Sequence, residues 1–299
     1  MQKTKRHFTE ALAETFPHRE AEQLMRILLE DLFGIDLKRQ LMEPDLRIDE
    51  LQHHQLSEAV KRLQAGEPVQ YVTGMARFCD LLIKVSPAVL IPRPETEELV
   101  QKICTSSLLC HSSVGECGGE ESIGGITRKF RIWDIGTGSG CIAIALAKHF
   151  VNAEVIAFDV SEEALQIAKE NAESNGAKVT FVQDDVLHPK SDYFNHPVDL
   201  IVSNPPYVCN SECTTMERNV LDWEPENALF VPDDDPLLFY RQILLLAKNQ
   251  LTLDGQVWFE INERMGEATV RVCQKMGFSE AEIMLDFAEK PRFCHAYRH

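Results

Sequence analysis

The chain has 299 residues, 44% of them hydrophobic, which suits one large soluble globular domain or a large domain with a small companion. Its 30 Lys+Arg against 47 Asp+Glu give a formal charge of -17, and a surface so acidic repels a polyphosphate backbone. That argues against strong non-specific nucleic-acid binding and suits a basic partner instead. The only short basic stretch, Lys3-Thr4-Lys5-Arg6-His7, reads as a solvated chain start. No apolar run approaches the roughly 20 residues of a membrane span, and the first residues lack both the apolar core of a signal peptide and an Arg/Ser-rich transit pattern. The nine cysteines are odd in number and form no CxxC pair: Cys209 and Cys213 lie four apart, Cys110 and Cys117 seven apart. The expectation is a cytoplasmic protein with reduced thiols, no membrane attachment and no metal site.

In chain order, the first 75 residues read as a helical domain. Leu24, Ile27, Leu28 and Leu32 recur at helical spacing, with Gly34 as a stop. A second helix from Asp49 carries Leu51, Leu56, Val60 and Leu63 and ends before Gly66. These stripes are packing faces and hold no evident chemistry. Residues 76–299 read as a hairpin connection followed by an α/β domain. Phe78, Leu81 to Ile83 and Val89 to Ile91 suggest short strands between turn residues, and a helix is expected from Thr96 to Leu109. The Ser-, Gly- and Cys-rich stretch from Cys104 to Lys129 reads as an exposed loop inside one fold. Beyond it strand and helix alternate, with strands expected near 130–135, 154–159, 178–183, 198–203 and 256–261 and probable closing strands near 282–287 and 293–297. That alternation implies a mostly parallel sheet covered on both faces.

The first of these strands runs into Asp134-Ile135-Gly136-Thr137-Gly138-Ser139-Gly140 and then directly into an apolar helix. Glycines here let the backbone turn sharply and bring main-chain atoms against a cofactor. The next strand ends in Asp159, 19 residues after Gly140, where a carboxylate can accept both hydroxyl hydrogens of a ribose. A plain tight turn between strand and helix would need only one glycine. Gly138, Gly140 and Ala143 also match GxGxxA, which keeps a nicotinamide oxidoreductase open, whereas Gly136-x-Gly138-x-Gly140 behind an acid is the spacing that suits S-adenosylmethionine. A third strand ends in Asp184-Asp185-Val186. There Asp185 can accept the amino hydrogens of an adenine and Val186 can pack on its ring, although either Asp could equally cap the next segment.

Asn204-Pro205-Pro206-Tyr207 follows the strand Val198 to Ser203. Ligands of open α/β sheets sit beyond the carboxyl ends of the strands, so the tetrapeptide should face the same crevice as the glycine turn. Consecutive prolines fix φ and offer no N–H, which frees their carbonyls to accept from a ligand. The Asn side chain adds a second acceptor, and Tyr207 a π face for a planar group or a cation. Two acceptors on one NH2 group suit methyl transfer to a planar amide or amine nitrogen. Such a nitrogen is a weak nucleophile, so alignment and electrostatics must carry the reaction, without a catalytic His or Cys.

At this point the sequence resembles the peptide-chain release factor glutamine N5-methyltransferases, the PrmC/HemK group. The likeness runs through Glu67-Pro68-Val69-Gln70-Tyr71-Val72-Thr73-Gly74, Leu90-Ile91-Pro92-Arg93-Pro94-Glu95-Thr96-Glu97, the glycine turn, Asn204 to Tyr207 and Trp223-Glu224-Pro225. The resemblance implies a class I Rossmann-like S-adenosylmethionine-dependent methyltransferase sheet with a small N-terminal helical domain that helps grip the substrate. It implies methylation of the glutamine in the Gly-Gly-Gln motif of class I release factors. Gly136, Thr137, Gly138, Ser139, Gly140, Asp159, Asp185, Val186 and Asn204 are then expected at the cofactor, and Asn204, Pro205, Pro206 and Tyr207 at the glutamine. Arg93 and Glu95 either order the entrance or pair structurally, and a monomer is expected. An adenine-N6 nucleic-acid methyltransferase shares the tetrapeptide, but the acidic charge balance and the absence of a basic cluster weigh against it. The oxidoreductase alternative leaves Asn204 to Tyr207 without a purpose.

Overall fold

The computed structural model describes residues 2–43, 46–106, 121–123 and 126–297. It divides into two compact units. The first gathers Met1–Met75 with Val85–Pro87 and Met216–Glu224; the second comprises Ala76–Lys84, Ala88–Thr215 and Pro225–His299.

The first unit is helical: α1 (Gln2–Leu12), α2 (His18–Phe33), α3 (Leu37–Met42), α4 (Glu50–Gln64) and α5 (Val69–Thr73). Helix α2 turns one stripe inward, Ala21, Met25, Leu28 and Leu29, and it stops at Gly34, whose φ of 63° lets its N–H return to the carbonyl of Glu30. Helix α4 opens on a capping box, in which the Asp49 side chain accepts from Gln52 N–H and the Gln52 side chain accepts from Asp49 N–H. Leu56, Val60 and Leu63 of α4 close the core with Phe8, Leu12 and the α2 stripe. The Glu67-to-Gly74 segment is tied down by Arg62. Its guanidinium forks onto the buried Glu67 carboxylate and also donates to the carbonyls of Tyr71 (3.1 Å) and Val72 (3.2 Å).

The second unit begins with the pair β1 (Met75–Phe78) and β2 (Leu81–Lys84), then α6 (Pro94–Thr105). Pro94 sits in the first turn of α6, where a missing N–H costs nothing. The expected strand at Val89 to Ile91 is instead a turn followed by extended chain. Pro87 and Pro92 flank it and withhold N–H groups, and the burial of Val89 and Ile91 serves packing rather than a ladder. The expected 104–129 loop lies largely outside the described residues. Its described part holds the end of α6 and a short antiparallel pair, β3 (Glu121–Ile123) with β4 (Ile126–Arg128).

The strands that follow are β5 (Arg131–Ile135), β6 (Glu154–Asp159), β7 (Thr180–Gln183), β8 (Val198–Ser203), β9 (Val208–Cys209), β10 (Phe230–Val231), β11 (Leu251–Glu260), β12 (Glu280–Leu285) and β13 (Pro291–Tyr297). β9 and β10 form a short parallel pair of their own, and the main sheet has seven strands in the order β12-β13-β11-β8-β5-β6-β7. The pairs β5/β6, β5/β8, β6/β7 and β8/β11 are parallel, and β13 runs antiparallel to both of its neighbours. β8 is buried at every position, as expected of a parallel strand covered on both faces. Helices α7 (Cys141–His149), α8 (Glu162–Ser174), α9 (Leu238–Gln250) and α10 (Gly266–Met276) supply that cover. Trp133, Phe158, Val198, Ile201, Tyr240, Ile243, Val257 and Phe259 form the core, which holds the carboxyl ends of β5, β6 and β8 in fixed register.

Candidate active site

Strand order reverses at β5, with β6 on one side and β8 on the other, and a crevice opens beyond the carboxyl ends of these strands. Its empty space is about 1100 Å³ including the open mouth. Gly136, Thr137, Gly138, Ser139, Asp159, Asp185, Val186, Asn204, Pro205 and Pro206 all line it, as do Leu90, Pro92, Arg93, Thr96, Asp184 and Phe239. Two of the expected site residues, Gly140 and Tyr207, are not among the lining.

The glycine turn is built from β5 outward. The amides of Gly136 and Thr137 both donate to the carbonyl of Phe158 at 2.9 Å, which folds the chain back over β6. Gly136 (φ 74°) and Gly138 (φ 54°) need the left-handed region, and a Cβ on either would meet open space within 4 Å. Gly140 differs. At φ 82°, a Cβ there would lie 3.0 Å from the Cβ of Ala168 and 3.3 Å from its Cα, so this glycine permits α7 and α8 to approach. Behind the turn, Asp134 is fully buried and accepts from the Thr137 hydroxyl (2.6 Å) and from Ala143 N–H (3.1 Å). Burial nonetheless pushes its carboxyl up to about 7, and its Oδ1 has no partner. The buried Asn171 of α8 donates to the carbonyl of Ser139 and clasps both backbone groups of Lys84.

Asp159 ends β6 with Oδ2 accepting from Gly138 N–H (2.8 Å) and Oδ1 from Ser161 N–H (2.9 Å), while burial raises its pKa. The carboxylate still has acceptor capacity left for a ligand. After β7, Asp184 organises its own loop by accepting from the amides of Asp185 and Lys190. Asp185 accepts from Leu187 N–H and pairs with His188 at 3.0 Å, yet still lines the crevice beside Val186. Both acids therefore have the capping work that the sequence allowed, and each oxygen of Asp185 already holds one partner, Leu187 N–H on Oδ1 and His188 on Oδ2.

At the end of β8, the Ser203 hydroxyl donates to the carbonyl of Ile135 (2.6 Å) and ties the two motif-bearing strand ends together. The half-buried Asn204 donates its amide NH2 to Thr96 Oγ1 (3.2 Å), and Thr96 in turn donates to Glu260 Oε2 (2.7 Å). The hydroxyl of Tyr207 donates to the other oxygen, Glu260 Oε1, at 3.0 Å. Burial raises the pKa of Glu260 and, together with the neighbouring Glu260, drives the Tyr207 phenol well above its usual value. The Asn262 side chain donates to the Tyr207 carbonyl (3.3 Å) and to Glu212 (3.0 Å), holding the chain that leaves the tetrapeptide.

Thr96, Glu260 and Asn262 belong to the site without standing in either of the motifs that mark it in the sequence. Thr96 stands inside the distinctive Pro-Arg-Pro-Glu-Thr-Glu run. Glu260 did carry a signal: an acid closing the otherwise apolar Val257-Trp258-Phe259 strand must find partners if buried. Asn262 gave none.

A seven-stranded sheet with one antiparallel strand, a glycine turn after its central strand and Asn-Pro-Pro-Tyr at the same crevice define a methyltransferase. In keeping with that class, residues 125–221 match the family model described as Methyltransferase small domain. The hMettl16 catalytic domain, solved with the MAT2A 3'UTR hairpin 6, shares this fold at a TM-score of 0.51 and 15% identity, over 85% of this chain and 84% of that one. Residues 5–74 match the PrmC N-terminal domain. The Release factor glutamine methyltransferase of Bacteroides thetaiotaomicron is 40% identical over 98% of this chain and 98% of its own. That of Flavobacterium psychrophilum is also 40% identical, over 93% of this chain and 92% of its own. The chain belongs to the release factor glutamine methyltransferase family.

Proposed function

We propose that this protein transfers the methyl group of S-adenosylmethionine to the side-chain amide nitrogen (N5) of the glutamine in the Gly-Gly-Gln motif of class I peptide chain release factors. The observation that carries this reading is the orientation of Asn204. Its NH2 is turned to Thr96, which leaves its oxygen as an acceptor at the crevice that the glycine turn also lines.

The crevice fits a nucleoside. Leu90, Ile135, Val186 and Phe239 give apolar walls for a flat base, Gly136 and Gly138 leave main-chain room, and Asp159 retains lone pairs for ribose hydroxyls. When bound, S-adenosylmethionine supplies a methyl group on a sulfonium, ready for direct displacement. The chain's own task is to hold the acceptor nitrogen in line. Asn204 Oδ1 and the Pro205 carbonyl accept the two hydrogens of the glutamine NH2, which points the nitrogen's remaining density across the crevice. Holding two groups in line removes most of the entropic part of the barrier, and the same two acceptors stabilise the positive charge that grows on the amide. Tyr207 contributes its ring at the glutamine end, because its hydroxyl is taken by Glu260. Within the proposed cofactor set, Gly140 acts through α7–α8 packing rather than by contact.

The protein acts as a monomer in the cytoplasm, with the release factor as its protein partner and no strong nucleic-acid affinity. Among the described residues no helix is long and apolar enough to cross a membrane. The test is mass spectrometry of purified release factors after incubation with the enzyme and isotope-labelled cofactor. A single methyl on the Gly-Gly-Gln glutamine is expected, and a methyl placed on any other residue would overturn the substrate. Asn204→Ala should keep the Tm rise given by S-adenosylhomocysteine while methyl transfer largely disappears; near-normal turnover would remove Asn204 from its role.

A further inference from the structure

Glu260 lies outside the crevice lining, yet it is fully buried, and the hydrogen bond on each of its carboxylate oxygens leads back to the tetrapeptide. An ionised carboxylate has no hydrogen to give, so with a hydroxyl on each oxygen it accepts from both. Thr96 has one hydroxyl hydrogen, and it goes to Glu260 Oε2. The remaining capacity of Thr96 Oγ1 toward Asn204 is therefore as an acceptor. An Asn side chain beside an acceptor must turn its NH2 to it, because an oxygen there would face another oxygen without a hydrogen between them. The direction of the whole chain is thus set at Glu260: Asn204 gives to Thr96, Thr96 gives to Glu260, and Asn204 Oδ1 is left for the crevice. On the second arm, Tyr207 can give its only hydroxyl hydrogen to Glu260, which fixes the ring two peptide units beyond Pro205.

We infer that Glu260 is a positioning residue for methyl transfer: acting through Thr96 it fixes which end of the Asn204 amide faces the substrate, and through Tyr207 it fixes the far end of the tetrapeptide. This inference rests on the reading of Asn204 as an acceptor for the glutamine NH2. It names a requirement of that reading that neither the glycine turn nor the tetrapeptide contains. Burying an anion is costly unless it is hydrogen-bonded. Two hydroxyl donors from separate elements, α6 and the chain after β8, place one hydrogen bond on each oxygen and offset part of that cost, and Arg292 adds positive charge nearby.

The test uses the full chain with a purified release factor. Thr96→Val keeps the shape of the side chain but neither accepts from Asn204 nor donates to Glu260, so the Asn204 amide is free to rotate. Its kcat should fall by about a hundredfold, the loss typical of a misaligned reacting pair, while KM for the cofactor and Kd for S-adenosylhomocysteine change less than about threefold. Thr96→Ser restores the hydroxyl and should recover most of that kcat. Glu260→Gln preserves volume but cannot accept at both ends, so one hydroxyl loses its acceptor and kcat should drop at least about tenfold with the cofactor Kd again held. Thr96→Val with near-wild-type kcat, Thr96→Ser as impaired as Thr96→Val, or a fully active Glu260→Gln would each overturn the inference. A separate readout needs no turnover: with 15N-asparagine labelling, the Asn204 side-chain NH2 resonance, assigned by its loss in Asn204→Ser, should shift in Thr96→Val. An unmoved resonance removes Thr96 as its acceptor. A wild-type enzyme that left release factors unmethylated would instead defeat the substrate reading, with the resonance still deciding the hydrogen-bond chain.

Discussion

Gly138 and Gly140 sit two residues apart in one turn, both at positive φ, and they should fail in different ways when given a methyl group. Gly138→Ala meets open space, so its penalty is the left-handed backbone alone, about 1–2 kcal/mol for a residue with a Cβ. Gly140→Ala bears the same strain and also drives its Cβ to 3.0 Å from Ala168 Cβ, 3.2 Å from Ile144 Cδ1 and 3.3 Å from Ala168 Cα. Because the last of these is backbone, α8 itself must move. Overpacking of a dense core adds about 1–3 kcal/mol, giving about 2–5 kcal/mol in total. Denaturant melts of both variants measure the difference. Ligand response should show the reverse order: at a hundredfold excess over Kd, S-adenosylhomocysteine adds about 2.7 kcal/mol to a competent site. Gly140→Ala should keep much of that increment wherever it folds, whereas Gly138→Ala, at a residue that lines the crevice and donates to Asp159, should lose it. A cycle with Ala168→Gly isolates the clash, since removing that methyl should recover at least about 1 kcal/mol in the Gly140→Ala background and none in the wild type. If Gly140→Ala were no less stable than Gly138→Ala, or if the cycle showed no coupling, the assignment of Gly140 to helix packing would be wrong.

Three further outcomes are expected. Asp49→Ala removes one half of the α4 capping box and should cost about 1 kcal/mol, seen as faster amide exchange in the first turn of α4. Leu28→Ala opens a cavity in the fully buried core of the helical unit and should cost about 2–5 kcal/mol by denaturant melt, with the seven-stranded unit retaining its ligand-induced stabilisation. Asp134 holds its proton up to about pH 7 in the folded chain, against 3.8 ordinarily. Between these pH values the unfolded chain ionises the group while the folded chain does not, so this residue's contribution to stability falls as pH rises through that window. Asp134→Asn has no such proton to lose. Its stability relative to the wild type should therefore improve between pH 4 and pH 7 in parallel melts, and a pH-independent difference would refute the buried, proton-retaining state.

How far the molecule could be read from its sequence depended on whether the governing contact was local. Helix α2 and the strands flanking the glycine turn were legible because their signals, an apolar stripe closed by Gly34 and apolar runs closed by Asp134 and Asp159, lie within a few residues of the structure they specify. Val89 to Ile91 misled for a related reason: burial and strand pairing leave the same apolar signature, and only the withheld amides of Pro87 and Pro92 separate them. The crevice was legible as far as the strand ends go, since topology alone carries Gly136, Asp159 and Asn204 to one edge. Within the glycine run, however, spacing could not separate a glycine that leaves room for a ligand from one that leaves room for a helix, because Ala168 lies on an element whose approach no local pattern records. The same limit hid the support of Asn204. Thr96 and Glu260 stand 108 residues before and 56 residues after it if one subtracts their numbers, and their hydrogen bonds connect α6, β11 and the chain beyond β8. A buried acid at the end of an apolar strand announces that partners exist, by the cost of leaving it without them, but not which ones. The tetrapeptide could thus be proposed as a pair of acceptors from its own residues, while the hydrogen bonds that lead from its asparagine through Thr96 end on a carboxylate that only the folded sheet brings within reach.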